Sequence, residues 1–253
     1  MPGLLLSGLA RSAVFAPLEP GGRVGAVVQR LSDSIALGMF RDGEQLPAQQ
    51  ELAADLGVSL VTLREALSQL QERGLVETRR GHGGGSFVRL NSGVSTARAR
   101  QRLYRMSSHD LVDLADMQRA VSGQAGRLAA ARSTPDFVTR LSGHIDLLER
   151  TPEPGERRCI DGRFLIEVAA ASQSVRLTRA EMQLQAEANA LRWLTGAGGD
   201  ADGERHREVV ACHRALVLAI GAGEEDEAQS LAERRVADDL VRLLGLHRQM
   251  MGV

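Results

Sequence analysis

The chain has 253 residues, 43% of them apolar, enough for one large domain or two modest ones with a real core. Aromatics make up only 3%, so that core must be built from Leu, Val, Ala and Ile, and the shortage of Pro and of β-branched runs favours helices. The net charge of −1 comes from 31 arginines, no lysine and 32 acids, and it hides an asymmetry: residues 1–105 carry +4 and residues 106–253 carry −5. No stretch approaches the roughly 20 apolar residues of a membrane span. Cys159 and Cys212 are far apart and form no CxxC, which excludes a disulfide framework and points to the reducing cytoplasm, with both thiols as small apolar fillers on helices.

Residues 1–22 are expected to be a flexible tail. The apolar run of MPGLLLSGLARSAVFA is short, is broken by Ser7 and Gly8, and lacks the basic start of a signal peptide. Val24, Val27, Val28, Leu31 and Ile35 then recur at helical spacing, and Gly38 closes this helix. Gly43 to Pro47 form a turn. A short helix over 49–56 ends at Gly57, which suits the left-handed position after a helix. Ser59 is placed to cap the next helix, where Leu63, Ala66, Leu67 and Leu70 form one buried stripe. Gly74 stops it. Residues 75–79 and 86–89 read as two short strands around RGHGGG. Residues 91–106 are expected to be a linker. From Ser108 onward only helical patterns occur, at about 108–132, 135–150, 157–171, 174–195, 203–222 and 224–248, separated by Gly- and Pro-rich breakers. The expected fold is therefore mostly α: a winged helix-turn-helix domain over 23–90, then an all-α antiparallel helical bundle over 107–250.

The capped helix has one apolar face, which leaves Ser59, Leu60, Val61, Thr62, Arg64, Glu65 and Ser68 on or near the other. In a helix-turn-helix the N-terminal part of the second helix enters the major groove. Arg64 has the fork to grip a guanine edge or a phosphate, and Ser59 and Thr62 offer hydroxyls. Arg79, Arg80 and His82 would ride the wing, with Gly81 and its neighbours letting it turn tightly against the sugar–phosphate surface. Seven arginines and no acid between residues 79 and 105 suit the same partner, double-stranded DNA. GHGGGS is not a dinucleotide loop, because no helix pattern follows it.

Residues 24–89 resemble the winged-helix domain of GntR-family transcription regulators. The matching pattern is Ile35-x-x-Gly38, Gly43-x-x-Leu46-Pro47, Glu51-Leu52-Ala53, Leu56-Gly57-Val58-Ser59, Thr62-Leu63-Arg64-Glu65-Ala66-Leu67, Leu70, Gly74-Leu75-Val76, Gly81 and Gly85-x-Phe87-Val88. The resemblance implies that Gln50 and Leu60 also neighbour DNA. Both depart from the family's usual residues, and Leu60 would either touch a thymine methyl or contribute nothing.

Residues 108–240 resemble the helical effector domain of the FadR-like branch, the FCD domain, through Asp161-x-x-Phe164 with Ala171-Ser172, through His213-x-x-Leu216-x-x-Ala219-Ile220-x-x-Gly223 with Ala228, and through Arg127-Leu128-Ala129-Ala130. Many relatives hold a divalent metal there with one Asp and three His. Here Asp161 and His213 match, but Leu165 and Arg235 stand where two further ligands would be, so no metal or other cofactor is expected. His206, one face-repeat before His213, is either a replacement ligand or an exposed histidine. Gln118 and Ser122 also replace residues the relatives carry. What the resemblance implies is an effector site of Gln118, Asp161, His213 and Arg235. Arg235 either holds an anionic effector, an organic acid, or pairs with Asp161 to close the bundle.

No catalytic triad, Cys/His pair or P-loop is present, and His109, His144 and His247 are scattered. The acidic stretch 223–227 reads as a solvated turn whose charge complements the last helix's dipole. The expected protein is a cytoplasmic, homodimeric, effector-responsive regulator, a repressor in the usual mode of its relatives, reading an inverted repeat. It is not expected to be an enzyme or to contact a membrane. Two other functions stay open at this level: a DNA-binding protein whose bundle only dimerises, and a helical enzyme fused to a DNA-binding module.

Overall fold

The computed structural model describes residues 7–15, 17–18, 24–40, 42–79, 81, 84–89, 92–196 and 200–252. Helix α1 spans Gly8–Phe15, α2 Val24–Ala36, α3 Gln49–Leu56 and α4 Leu60–Glu72. Strands β1 (Val76–Arg79) and β2 (Gly85–Val88) pair antiparallel, with Val76 opposite Val88 and Arg79 opposite Gly85. The segment expected as a plain turn adds to this sheet: Gln45 bridges Phe87, and the Val88 amide donates to the Glu44 carbonyl at 2.8 Å. Helices α5 (Ser92–Arg105), α6 (Ser108–Arg132), α7 (Pro135–Arg150), α8 (Pro154–Ala171), α9 (Val175–Arg192), α10 (Asp200–Ala222) and α11 (Glu225–Met251) follow, with a 3-10 turn at Trp193–Gly196. No helix among the described residues is long and apolar enough to cross a membrane.

The local signals act as elementary chemistry requires. Gly57 takes φ 66° and ψ 34°, and its amide closes α3 on the carbonyls of Ala53 and Ala54. The Ser59 hydroxyl accepts from the Thr62 amide at 3.1 Å and starts α4. Leu63, Ala66, Leu67 and Leu70 are all buried against Val27, Val28, Leu31 and Ile35 of α2 and Leu52 and Leu56 of α3. In the bundle, Ser107 and Asp110 form a reciprocal capping box that opens α6, and α6 packs along the length of α11.

Two expectations are corrected. The tail assigned to residues 1–22 contains α1, whose Ala10 and Val14 are buried in the same core as α2. The Ser7 amide, just ahead of α1, donates to Glu167 Oε1 on α8 at 2.5 Å. The linker assigned to 91–106 is mostly the helix α5. Its Ala99 and Leu103, four residues apart, are buried with Leu111, Leu191, Leu194 and Leu243, and Arg102 pairs with Glu187 at 2.9 Å. Arg, Gln, Ala and Leu are good helix formers, and two buried positions suffice to dock a helix that reads as polar from its sequence.

The winged helix-turn-helix part and the bundle share one core. Ile166 and Ala170 of α8 and Met182 of α9 belong to the cluster formed by α1–α4. Gly38 sits at this seam. It takes φ +64°, and a Cβ there would lie 2.7 Å from Cys159 Cβ and 2.9 Å from Arg163 Nη2. Gly38→Ala is expected to cost about 2–3 kcal/mol, from the left-handed backbone and the forced displacement of α8. Denaturant unfolding of the full chain checks this, and a loss below about 0.5 kcal/mol would show that the seam yields freely.

Candidate functional site

The exposed face of α4 is the first functional surface. Ser59, Val61, Arg64, Glu65 and Ser68 are exposed on it, and Gln50 is exposed on α3. The Ser59 hydroxyl is shared between the Thr62 amide and the Thr62 hydroxyl, 2.9 Å away, so the cap also fixes Thr62. Arg64 Nε donates to Gln49 Oε1 at 3.2 Å, which braces the guanidinium against α3 while leaving its fork outward. Leu60 needs correction: it is half-buried and packs on the core of α2–α4. The apolar side chain offered to a partner is its neighbour Val61, 72% exposed.

On the wing, Arg79 is exposed, pairs with Glu77 at 3.2 Å and lies over the Phe87 ring at 4.4 Å. Glu77 is held below the usual carboxylate range by its hydrogen bonds from Arg89 and then Arg79. Gly81 takes φ +103° at the wing turn. Arg80 and His82 lie outside the described residues.

The second candidate lies inside the bundle. Asp161 on α8 is 1% exposed, yet both its oxygens are occupied. Oδ1 accepts from His213 Nε2 (α10) and Arg235 Nη2 (α11), each at 2.9 Å. Oδ2 accepts from Arg192 Nη2 (α9) at 3.1 Å and from Trp193 Nε1 at 2.9 Å. Burial alone would raise this carboxyl, but Arg235, Arg192 and His213 together hold it well below the usual range. Sequence reasoning brought Asp161, His213 and Arg235 together correctly. Gln118 is buried on α6 but makes no hydrogen bond among the described residues. Its neighbour Ser122 donates to Glu181 Oε2 at 2.9 Å.

Several members of this cluster escaped the sequence. Arg192 is 2% exposed and also donates to Gln185 and Asn189 at 2.7 and 3.2 Å. Asp239 lies 3.4 Å from Arg192 Nε and pairs with Arg205, whose other partner is Glu208 at the rim. Glu181 is buried and accepts from Gln185 at 2.5 Å; burial pushes its carboxyl up. One signal was present: Thr178, Glu181, Gln185, Asn189 and Arg192 recur every three or four residues along α9, a polar stripe that is buried throughout. Such a stripe ordinarily faces water.

This chemistry does not fit a divalent cation. Asp161 spends both oxygens on N–H donors, two of them guanidinium, and Leu165 is a buried apolar residue beside Phe164. Among the described residues no group of three or more His, Cys, Asp or Glu is arranged to hold a metal. His206 is not joined to the Asp161 cluster by any contact among the described residues; its Nε2 donates to the Leu148 carbonyl at 2.8 Å. Cys159 is half-buried, but Cys212 is exposed and so fills no core, contrary to expectation. The acidic stretch 223–227 is engaged by Arg127, which pairs with Glu225 at 3.2 Å and with Asp226.

The protonation state of His213 follows from its partner. An ionised Asp161 can only accept, so Nε2 carries the proton and Nδ1 is a bare acceptor. Burial lowers its pKa to about 4 despite Asp161. The ring stacks on Phe164 at 3.8 Å. Several buried atoms here have no hydrogen-bond partner: Arg192 Nε and Nη1, Arg235 Nε and His213 Nδ1, together with Asp239 Oδ2, an acceptor that lies 3.4 Å from Arg192 Nε in ionic but not hydrogen-bonding contact.

A recognition helix with an open outer face, a wing and a helical bundle behind them define a DNA-binding regulator. Residues 23–88 match the model of the gntR family of bacterial regulatory proteins, and residues 113–250 match the FCD domain. The chain belongs to the GntR family of transcription regulators, with an FCD domain as its second part, and it is not an enzyme. It is 35% identical over 235 residues to the HTH-type transcriptional regulator RmpR of Mycobacterium gastri, covering 92% of this chain and 85% of the relative. It is 30% identical over 240 residues to an HTH-type transcriptional regulator of Mycobacterium tuberculosis, covering 94% and 96%. The solved structure of Escherichia coli McbR/YncC shares the fold at TM-score 0.52 and 17% identity, over 91% of this chain and 99% of that one.

His144 on α7 supplies a test of the bundle's electrostatics. It is 1% exposed, neither ring nitrogen has a hydrogen-bond partner, and burial, then Arg163 and Arg140, lower its pKa to about 4. The unfolded chain therefore binds the extra proton between about 4 and 6.5. The stability His144 permits is full above that window and is lost as pH falls through it. His144→Leu should gain on the wild type by about 3 kcal/mol between pH 7 and pH 4. Parallel stability profiles for the two proteins would contradict a buried neutral His144.

Proposed function

We propose that the protein acts in the cytoplasm as a homodimer, a repressor that reads an inverted repeat through α4 and leaves it when an organic acid enters the bundle. The observation that carries the DNA half is the open face of α4, where a capped N-terminus presents Val61, Thr62 and a braced Arg64. In this arrangement Arg64 reads a base edge or phosphate, Val61 supplies the apolar contact expected of a thymine-methyl neighbour, and Gln50 and Arg79 hold the backbone. Arg80, Gly81 and His82 extend the wing contact. A two-fold dimer matches the two half-sites. Arg64→Ala should weaken binding to a site selected from random duplexes by roughly 10–100-fold. Sedimentation should show the same assembly as the wild type, and unchanged affinity would remove Arg64 from recognition.

The effector half rests on the unpartnered buried atoms around Asp161. Arg192 and Arg235 offer N–H groups that need acceptors, and His213 Nδ1 needs a donor. The interior sets three guanidiniums, Arg192, Arg205 and Arg235, against Asp161 and Asp239, while Glu181 holds its proton more firmly than usual and Glu208 stands at the rim. An acid carrying a hydroxyl beside its carboxylate supplies both kinds of partner, without a metal. Arg235 pairs with Asp161 and keeps its Nε for the ligand, so closing the bundle and binding the effector are compatible roles. Gln118, buried on α6, is assigned to the same site by the resemblance alone. Effector binding would bias the spacing of the two DNA-binding domains only through unequal affinity for the two arrangements. A thermal-shift screen should find a hydroxy acid that stabilises the wild type. Arg235→Lys, which keeps the charge but loses the fork, should bind it at least about tenfold more weakly. Full binding by Arg235→Lys, or loss of binding on adding chelator, would sink the metal-free site.

A further inference from the structure

Helix α11 has two distinct sides. Its inner side carries Arg235, Val236, Asp239, Leu243 and His247, all buried in the bundle. On its outer side, Asp238 and Arg248 are exposed, Val241 is 69% exposed, and a Cβ added to Gly245 would meet nothing within 4 Å. Steps of three, four and three residues set these four positions in one row along the helix. Apolar and small residues at that spacing form the seam of paired helices.

A lone exposed valine needs no explanation. The rest of the row does. A glycine inside a helix costs helix stability, and no contact within the described chain offsets that cost at Gly245. Neither Asp238 nor Arg248 forms a salt bridge among the described residues, whereas the neighbouring Arg234 and Arg242 pair with Glu227 and Glu208. Arg248 Nε donates to the Leu244 carbonyl of its own helix at 3.4 Å. Asp238 adds slightly to the raised pKa of Cys212.

The row is also self-complementary. Residues 238 and 248 lie equally far from residue 243, and so do 241 and 245. A second α11 running antiparallel, across a two-fold axis level with residue 243, brings Asp238 to Arg248 of the partner subunit and Val241 to Gly245 of the partner subunit. Each contact occurs twice, as a two-fold interface requires of a patch that must fit itself. A parallel pairing in register would instead set aspartate against aspartate and arginine against arginine, which like charge opposes.

We propose that two copies of the chain pair through α11, antiparallel, with Val241 seated over Gly245 and an Asp238–Arg248 ion pair at each end of the seam. This rests on the homodimer reading above and names its surface. Gly245 lets the two backbones approach closely. One helix pair is a small interface, so loss of its central contact is enough to part the subunits. The same turns carry Arg235 and Asp239 on their inner face, so an anion held by Arg235 acts on the far side of the pairing helix.

Sedimentation equilibrium of the full chain over a dilution series measures the dimer constant. The wild type should dimerise. Val241→Arg, at an exposed position, should weaken the dimer at least about a hundredfold while keeping the wild-type circular dichroism. Asp238→Arg and Arg248→Asp should each weaken it at least about tenfold, by setting like charges across the seam. Combining the two should restore the wild-type constant to within about threefold. That rescue is specific to a pairing between copies, because the two positions lie roughly 15 Å apart along one helix and cannot meet within a chain. It also keeps the test decisive if Val241→Arg alters the fold. A dimer of wild-type strength in all three single variants, or a double variant no stronger than the single ones, would overturn the proposal and place the dimer on another surface. A wild type that stays monomeric throughout the series would overturn the homodimer reading with it.

Discussion

Asp161 is a charged carboxylate without access to water, and the bundle is organised around keeping it charged. Its four donors come from α9, the 3-10 turn, α10 and α11, so one side chain on α8 ties four other pieces of chain together. Removing any donor would leave a buried charge partly unmatched, at a cost of several kcal/mol. That is why Arg192 and Arg235 are held so tightly, and why Asp239 and Arg205 stand behind them as a second layer of opposite charge. The price of this arrangement is geometric: the donors cannot all be turned toward Asp161, and several are left over. The same cluster therefore stabilises the bundle and leaves it with chemistry suited to an anion.

The DNA-binding domain is not tethered loosely to this bundle. Its core continues into α8 and α9 through Ile166, Ala170 and Met182, and Gly38 lets the turn after α2 approach α8 at a distance no side chain would allow. Helix α1 bridges the two parts, because Ser7 is held by Glu167 while Ala10 and Val14 join the α2–α4 core. Helix α5, which follows the wing, docks on the bundle through Leu103 and the Arg102–Glu187 pair. Helix α8 thus carries Asp161 and also, five residues on, Ile166 in the shared core. Under the proposed effector response, a shift of α8 at the ion cluster would reach the reading head through this packing, since packed cores change between discrete arrangements more readily than they deform.

The reading head was legible in the sequence because its determinants are local. A glycine forced left-handed, a serine capping its own helix and an apolar stripe of four residues each depend on neighbours a few positions away. Leu60 was misjudged for the opposite reason. Its position on a helical wheel is outward, but its side chain packs on the shared core built from residues distant in sequence, leaving Val61 as the exposed apolar group. The linker was misjudged because α5 holds only two buried apolar positions, and the tail because short α1 is stabilised by residues over a hundred positions away.

In the bundle, the resemblance to FCD domains implied that Asp161, His213 and Arg235 belong together and that two ligands found in relatives are replaced here. Sequence alone determined the helices, since breakers and periodicity mark their ends. Only the tertiary structure decided which face of α9 is inside. Thr178, Glu181, Gln185, Asn189 and Arg192 form a stripe that periodicity assigns to water, and the fold buries it because Asp161 and Asp239 wait opposite. The cost of burying a charge depends on the charge facing it. That partner is set by how helices distant in sequence are packed, so the sign of a buried site is a property of the fold.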